Sequence, residues 1–384
     1  MNAYLFLSGL SAAIWIYLLC GHGSFWRGWR EPVGRQIATY PAIAVVIPAR
    51  NEAAVIGECL HTLFGQGYPG SLHVVVVDDH SHDGTADVAR AAAVACAATE
   101  RLTVIAAPPL PTGWVGKVAA MEAGYRHVAD ARLAADYILF TDADIKHGPG
   151  VVARLVARAE TENHDLVSLM VRLRRASLSE YALIPAFVFF FRMLYPFSWA
   201  NDHRSQVAAA AGGCMLLRRS AIDRIDGLHS MKDAIIDDCA LARAIKQNGS
   251  IRLDVAESSE SLRGYPTFPA MWRLVARTAF TELRYSALRL AVAVTGLILV
   301  FLVPPIVAFD GSGAAAAIGL ATWAAMTAAF IPCLFYYRAS LAWAPCLPLI
   351  ALFYLGATVD SARRHWLGRG GEWKGRFQSQ VVGP

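Results

Sequence analysis

Charged residues are scarce in this sequence, and their scarcity is uneven. Asp, Glu, Lys and Arg make up 17% of the 384 residues, whereas soluble globular domains average about 25%. Residues 1–26 contain none of them, and residues 287–358 contain only three. The rest of the chain has a charged fraction of about 22%, close to the globular norm. This distribution excludes an ordinary soluble protein and predicts a soluble domain between membrane segments.

Two further absences exclude other classes of protein. The seven cysteines form no C-x-x-C pair, so neither a zinc site nor a disulfide framework is indicated, and a cytosol-facing domain is expected. The net charge of +5 is modest, and no run of Lys and Arg alternates with aromatic residues. Nucleic acid is therefore not an expected partner.

The N-terminal segment, residues 1–26, is predicted to be a membrane anchor. Residues 3–20 form an uncharged run of spanning length. No basic residue precedes the run, which disfavours the alternative of a cleaved signal peptide. Arg27, Arg30 and Arg35 follow it, so by the positive-inside rule the chain from residue 30 onward is cytoplasmic.

Residues 287–359 are predicted to hold the C-terminal transmembrane segments, and residues 360–384 form a basic tail. The three apolar runs are 288–309, 314–337 and 341–359. Three full crossings would leave the basic tail outside the cell, against the positive-inside rule. Either the third run, which prolines interrupt, is re-entrant or interfacial, or the tail breaks the rule; the sequence leaves both open.

One apolar stretch lies inside the soluble domain. Residues 181–199 are apolar and aromatic but include Pro185, Arg192 and Pro196, which disfavour a membrane span. We expect a helix in the membrane interface. A buried helix of the soluble domain is an equally open alternative.

Residues 37–286 are predicted to form a cytoplasmic α/β domain. Continuous apolar runs of strand length alternate with helical patterns, as in a parallel sheet with helices on both faces. The predicted strands are 42–47, 73–77, 102–105 and 137–140. Ligands on such sheets bind at the carboxyl ends of the strands, so the residues just after each run are candidates for a binding site.

Acidic residues follow the second and fourth strands. Asp142 and Asp144 are two carboxylates at a strand end, suited to Mg²⁺ or Mn²⁺ shared with a diphosphate; a solvated Asx turn is the alternative. Asp79 follows four valines, and a carboxylate at a buried strand end needs donors such as those of a base or ribose. The alternative role for Asp79 is to cap the next helix. Because Ser81 or Asp83 could provide that cap, we expect Asp79 to bind the nucleotide.

Three further motifs carry polar groups suited to a phosphate-containing ligand or an acid–base step. Lys117 follows Gly116 where a helix is predicted to begin, and it faces either phosphate or solvent. Gly212 and Gly213 precede a strand and would let a ligand approach the backbone. Asp237 and Asp238 open a helix, where they serve either as partners of the helix dipole or as a general base.

Taken in order, these motifs resemble the family 2 glycosyltransferases of the GT-A fold. The matching segments are VIPARNE (46–52), VDDHSHDGT (77–85), GKVAA (116–120), TDAD (141–144), the Gly212–Gly213 loop with Arg218 and Arg219, and DDCALAR (237–243). The single anchor, the apolar C-terminal runs and the segments 272–286 and 370–376 further resemble the hopene-associated glycosyltransferases of bacterial hopanoid biosynthesis, which are related to ceramide glucosyltransferases.

The resemblance implies roles for several of the matching residues. Pro48, Arg50 and Glu52 would contact the nucleotide, Asp79 would accept the uracil N–H, and Asp142 and Asp144 would hold the metal, Asp144 more directly. Asp238 would be the catalytic base, with Asp237 in place of the usual Glu.

The Q-x-x-R-W motif of processive synthases and ceramide glucosyltransferases is absent. Arg277 and Arg284 are then the candidates for contacting the diphosphate.

The sequence thus predicts a multi-pass protein of the bacterial inner membrane with a cytoplasmic catalytic domain. It would move a sugar, with inversion, from a nucleotide sugar to a lipid hydroxyl, and the resemblance implies a UDP-sugar as the donor. A processive polysaccharide synthase and a non-catalytic scaffold of lipid biosynthesis are the alternatives. Almost uncharged apolar runs make a poor export channel, which disfavours the synthase.

Overall fold

The computed structural model describes residues 3–31 and 36–368, together with the backbone of 372–373 and 376–377. The chain divides into two compact units. An α/β unit comprises residues 30–174, 199–263 and 373–384, and a helical unit comprises 1–29, 175–198 and 264–372. The helical unit therefore takes in two segments, 175–198 and 264–286, that lie within the predicted domain 37–286. Arg35 and the side chains of the tail beyond residue 368 lie outside the described part.

One sheet of eight strands organises the α/β unit. The strands are β1 (Ile43–Ala49), β2 (Leu72–Asp78), β3 (Leu102–Ala106), β4 (Tyr137–Thr141), β5 (Ile145–Lys146), β6 (Leu166–Arg172), β7 (Cys214–Arg218) and β8 (Ile251–Ser261), and two-residue strands β9 (Glu372–Trp373) and β10 (Arg376–Phe377) pair separately. The order in the sheet is β3-β2-β1-β4-β7-β6-β8-β5. β7 runs antiparallel to both of its neighbours, so the sheet is mixed.

The helices, in chain order, are α1 (Ala3–Cys20), α2 (Ile56–Phe64), α3 (Thr85–Ala95), α4 (Gly116–Asp130), α5 (Val151–Thr161), α6 (Leu178–Leu194), α7 (Phe197–Ala200), α8 (Arg219–Arg224), α9 (Asp237–Lys246), α10 (Phe268–Glu282), α11 (Ala287–Leu297), α12 (Val303–Asp310), α13 (Gly313–Tyr336) and α14 (Leu347–Trp366). A short π-helical turn, Ile298–Leu302, joins α11 to α12.

The predicted α/β architecture is confirmed, because helices pack on both faces of the sheet. One apolar core includes residues of α2, α3 and α5, and the other includes residues of α4, α8 and α9. All seven residues of β1 are buried, as expected for a strand covered on both faces. The four strands predicted from apolar runs are all present, with ends displaced by at most two residues.

Gly124 allows α4 to pack closely against the sheet. A Cβ atom at this position would lie 2.4 Å from Val46 Cγ1 on β1 and 2.9 Å from Val77 Cγ2 on β2. Those separations are shorter than any van der Waals contact, so only glycine permits this packing. The packing also fixes the start of α4, where Lys117 lies.

Within the described residues, three helical segments are long and apolar enough to cross a membrane: Ala3–Cys20, Ala287–Asp310 and Gly313–Tyr336. The first two apolar runs predicted near the C-terminus correspond to the second and third of these. The third predicted run became α14, which is not among the candidate spans. Its C-terminal half carries Asp360, Arg363 and Arg364.

Side chains of α1 bond to the backbone of the second span at its π-helical turn. Trp15 Nε1 donates to Val300 O at 2.7 Å, and Ser11 Oγ donates to Leu299 O at 2.8 Å. The carbonyl of Val300 has no backbone donor four residues on, because residue 304 is a proline. The indole N–H therefore satisfies a carbonyl that the helix itself cannot.

The stretch predicted as an interfacial helix became α6, which is packed within the helical unit. Its carbonyls at Leu183 and Pro185 accept hydrogen bonds from Tyr354 Oη (2.8 Å) and Cys333 Sγ (3.1 Å). Arg192 is buried, and its guanidinium lies 4.2 Å from the ring centre of Trp29. The helix thus has partners on α13 and α14 within the helical unit. Its place at the membrane interface stays a prediction.

The close approach at Gly124 gives a stability prediction. Gly124→Ala should lower the thermal unfolding midpoint, because overpacking of this kind costs about 1–3 kcal/mol. Gly57→Ala on α2 is the matched control, since its Cβ would make only an ordinary contact of 3.5 Å with Val88. Midpoints of the purified full chain in one detergent provide the comparison. Equal midpoints for the two variants would contradict the packing described here.

Candidate active site

Four segments of the α/β unit meet at the carboxyl edge of the parallel strands. The chain leaves β4 at Thr141, and β7 begins opposite it, since Thr141 pairs with Cys214. Gly212 and Gly213 precede β7 and so lie at the same edge. The first turns of α4 and α9 supply Lys117 and the pair Asp237 and Asp238. The structure therefore brings together residues predicted from four separate motifs.

Lys117 lies at the centre of this cluster. Its Nζ is 2.9 Å from Asp142 Oδ1 and 3.0 Å from Asp237 Oδ2, and the lysine side chain is only 16% exposed. Burial alone would lower the pKa of Lys117, but the charges of Asp142 and Asp237 raise it above its ordinary value. The ammonium stays charged and holds the two carboxylates together. Of the two roles left open for Lys117, the solvent-facing one is excluded.

Asp238 is the acid best placed to act as a base. Its Oδ2 accepts a hydrogen bond from Gly212 N at 2.8 Å, and its Oδ1 accepts one from Cys239 N at 2.7 Å. Removal from water and the neighbouring charge of Asp237 raise the pKa of Asp238 to about 6, although Lys117 and the two N–H donors oppose the shift. A carboxyl with this pKa is ionised at neutral pH yet basic enough to take a proton.

A side chain on either glycine of the loop would crowd its neighbours. A Cβ on Gly212 would lie 3.2 Å from Lys117 Nζ and 3.4 Å from Asp238 Oδ2. A Cβ on Gly213 would lie 3.0 Å from Val171 Cγ2. Close packing therefore favours glycine at both positions, in addition to their predicted role beside the ligand.

The two acids of the TDAD segment form ion pairs with different basic residues. Asp142 pairs with Lys117, whereas Asp144 Oδ2 lies 2.8 Å from Arg263 Nε and 3.2 Å from Ser261 Oγ. Burial and the neighbouring acids raise the pKa of Asp142, against the opposing effect of Lys117. Asp144 is almost fully buried.

Of the residues predicted to contact the nucleotide, Arg50, Glu52 and Asp79 lie in the loops after β1 and β2, and Pro48 lies within β1. Arg50 Nη1 donates to Asp79 O at 2.6 Å and lies 3.6 Å from Asp79 Oδ2. Glu52 Oε1 lies 2.6 Å from Arg263 Nη2. Pro48 is paired in the sheet beside Val77. Asp79 thus has a cationic neighbour at the end of β2.

Ser81 and Asp83 have hydrogen-bond partners in these loops, and the N-cap position of α3 is Gly84, with no side-chain cap. The assignment of Asp79 to the nucleotide stays a prediction. Ser81 Oγ accepts from Asn51 N at 2.9 Å. Asp83 accepts from Thr85 N at 3.1 Å and from Ala53 N at 3.0 Å. These bonds join the loops after β1 and β2 and order the edge of the sheet around Asp79.

Sequence reasoning missed two residues at this edge. Arg263, just after β8, bridges Asp144 and Glu52, and it is separated from both by more than one hundred residues. His147 lies 3.0 Å from Thr141 Oγ1 and is buried, which lowers its pKa to about 4 and keeps the ring neutral. Neither residue lies in a recognisable motif, and only the pairing of β5 with β8 brings Arg263 to the site.

The site's donor set fits a divalent cation. Among the described residues, no three acidic, His or Cys side chains already converge in a metal-binding arrangement. However, four aspartates, at positions 142, 144, 237 and 238, share this edge with only Lys117 and Arg263 as cations in contact. Hard carboxylate oxygens and an excess of negative charge suit Mg²⁺ or Mn²⁺. Asp144 and Asp142 are the residues that would hold such an ion.

Arg277 and Arg284 belong to the helical unit. Arg277 lies on α10, Arg284 just follows it with a φ of 52°, and both are exposed. Their assignment to the diphosphate stays a prediction.

Among solved structures, the chain is similar in fold to a mannosyltransferase, PcManGT from Pyrobaculum calidifontis, solved in complex with GDP-Man and Mn²⁺. The TM-score is 0.56, at 19% identity, covering 92% of this chain and 98% of that one. This likeness supports a GT-A type fold for the mixed α/β sheet.

Curated relatives match over shorter segments. The 4,4′-diaponeurosporenoate glycosyltransferase of Staphylococcus aureus is 31% identical over 137 residues, which are 35% of this chain and 32% of that protein. Glycosyltransferase AglE of Haloferax volcanii is 46% identical over 54 residues, 14% of this chain and 18% of that protein. The chain thus matches a third or less of the length of these relatives.

The family comparison covers much more of the chain. Residues 41–278 match the family described as Glycosyltransferase like family 2. This segment contains the acids and cations of the candidate site, from Glu52 to Arg263. It is more than half of the chain, and the protein therefore belongs to glycosyltransferase family 2.

Proposed function

We propose that this protein is a membrane-bound inverting glycosyltransferase that moves a sugar from a nucleoside-diphosphate sugar to a lipid hydroxyl. The observation that carries the proposal is the position of Asp238, an acid of raised pKa held by Gly212 N–H beside the cation Lys117. A base next to fixed positive charge is what displacement of a diphosphate by a hydroxyl requires. UDP is the nucleotide we favour, on the family resemblance of Asp79.

The proposed chemistry is a single displacement. Asp238 takes the proton of the acceptor hydroxyl as its oxygen attacks the anomeric carbon, and the bond to the diphosphate breaks with its electron pair on the leaving group. Asp237 and Asp142 hold Lys117 in place, and Lys117 supplies positive charge at the same edge. A divalent ion held by Asp144 and Asp142 would add charge that neutralises the leaving diphosphate when it is bound.

The apolar helices support a lipid acceptor. Three segments long and apolar enough to cross a membrane are present among the described residues, and an amphiphilic acceptor would explain why a catalytic domain carries them. The Staphylococcus aureus relative is named for a lipid-related substrate, 4,4′-diaponeurosporenoate. Within lipids we favour a hopanoid, on the resemblance of the sequence to the hopene-associated enzymes.

The span count also supports a cytoplasmic site in a bacterial inner membrane. With α1 entering from outside, the α/β unit is cytoplasmic, and two later crossings return the chain to the cytoplasm before α14. Arg363 and Arg364 near the end of α14 then lie on the cytoplasmic side, in agreement with the positive-inside rule. In this proposed topology the basic residues of α14 agree with the rule, which three C-terminal crossings would not allow.

Loss of the base or of the proposed metal ligand should abolish transfer. We expect Asp238→Asn and Asp144→Ala each to reduce turnover by at least about 100-fold, the usual contribution of such groups. The assay follows labelled sugar from UDP- and GDP-sugars to hopanoid lipids with the purified full chain. Asp87→Asn is the matched control, because Asp87 is 86% exposed on α3.

Three outcomes of this assay would contradict the proposal. Unchanged turnover in both variants would exclude the mechanism. A ladder of products instead of a single-sugar lipid would favour a polysaccharide synthase. No turnover by the wild-type chain with any donor would favour the scaffold alternative.

The pH profile of transfer should report Asp238. Its pKa of about 6 is raised, so the carboxyl protonates as the pH falls through 6 and the base is lost. At pH 5 only about a tenth remains ionised, and kcat/KM should fall about tenfold. Asp237→Asn removes the negative neighbour that raises the pKa and should move this acidic limb to lower pH. A limb that stays in place or moves upward would contradict the assignment.

A further inference from the structure

Arg263 ties two separate loops of the site together. Its Nε lies 2.8 Å from Asp144 Oδ2, after β4, and its Nη2 lies 2.6 Å from Glu52 Oε1, after β1. The neighbouring backbone is fixed, because Leu262 N donates to Asp144 O at 2.7 Å. One flexible side chain therefore spans the edge where the proposed metal and diphosphate would bind.

Asp144 is 5% exposed, whereas the side chain of Arg263 is 36% exposed. A carboxylate so deeply buried is costly unless a cation or donor compensates it. Arg263 supplies that compensation, and it does so through the same oxygen, Oδ2, that Ser261 Oγ also contacts. A divalent ion that binds this oxygen must therefore compete with the guanidinium of Arg263.

We propose that Arg263 is an exchangeable cation of the site: it occupies Asp144 in the absence of ligand, gives way to the divalent ion, and then contacts the diphosphate of the donor. The part played by the diphosphate rests on the proposed function. The guanidinium of Arg263 is suited to both tasks, because a guanidinium binds carboxylates and phosphates alike through paired N–H donors. About a third of the Arg263 side chain is exposed to solvent, so a ligand that enters from solvent can reach the guanidinium.

Two binding measurements on the purified full chain test this role. The first titrates Mn²⁺ alone and follows free Mn²⁺ by electron paramagnetic resonance. The second titrates UDP at saturating Mn²⁺ by calorimetry. For Arg263→Gln we expect about tenfold tighter Mn²⁺ binding, because a competing ion pair is gone, and about tenfold weaker UDP binding, because a phosphate contact is gone.

Arg218→Gln is the matched control. Arg218 pairs with Glu160 at the other end of β7, so its loss changes the net charge equally without touching the site. Both affinities should be unchanged in this variant. Arg263→Lys, which keeps the charge but not the paired donors, should recover part of the UDP affinity.

Opposite movement of the two affinities distinguishes exchange from a purely structural tie. A structural tie would weaken both or neither, and either result would overturn the proposal. Tighter Mn²⁺ binding with unchanged UDP binding would also overturn it, because the diphosphate contact would be absent. The Mn²⁺ titration needs no acceptor and no turnover, so it stands even if sugar transfer is not observed.

Discussion

The ion contacts of Lys117 hold the site together. A buried ammonium within 3.0 Å of both Asp142 and Asp237 joins the end of β4 to the first turns of α4 and α9. Without it, the negative charges of several aspartates at one edge of the sheet would repel each other. Gly124 contributes to the position of Lys117, because it allows α4 to pack closely on β1 and β2 and so places the first turn of α4 at this edge.

The two cations of the site divide the acids between different tasks. Lys117 pairs with Asp142 and Asp237, whereas Asp238 accepts hydrogen bonds from the backbone N–H groups of Gly212 and Cys239. The pKa of Asp238 is raised, as a base requires. Arg263 takes Asp144, the acid most suited to a divalent ion. The proposed acid–base and metal-binding roles would therefore fall to neighbouring groups with distinct electrostatic surroundings, although all four acids lie at one edge.

Much of the α/β unit was predictable, because strands buried on both faces leave continuous apolar runs and the polar residues after them must share an edge. Asp142 followed from that rule, whereas Lys117 and Asp237 were singled out only as residues that open helices, and their pairing was not predicted. Arg263 did not follow from it either, since its contact with Asp144 spans 119 residues and depends on the pairing of β8 with β5. The packing of α6 was also not predictable, because an apolar helix with an internal proline has the same sequence pattern in a protein core and at a membrane interface.

The central claim is that the carboxyl edge of the sheet binds the donor with Asp238 facing it. A structure of the full chain with a non-hydrolysable UDP-sugar and Mn²⁺ tests this claim most directly. The account predicts the diphosphate between Lys117 and Asp144, with an oxygen of Asp238 directed at the anomeric carbon. A nucleotide bound elsewhere, or bound here with Asp238 on the far side of Lys117 from the sugar, would contradict it.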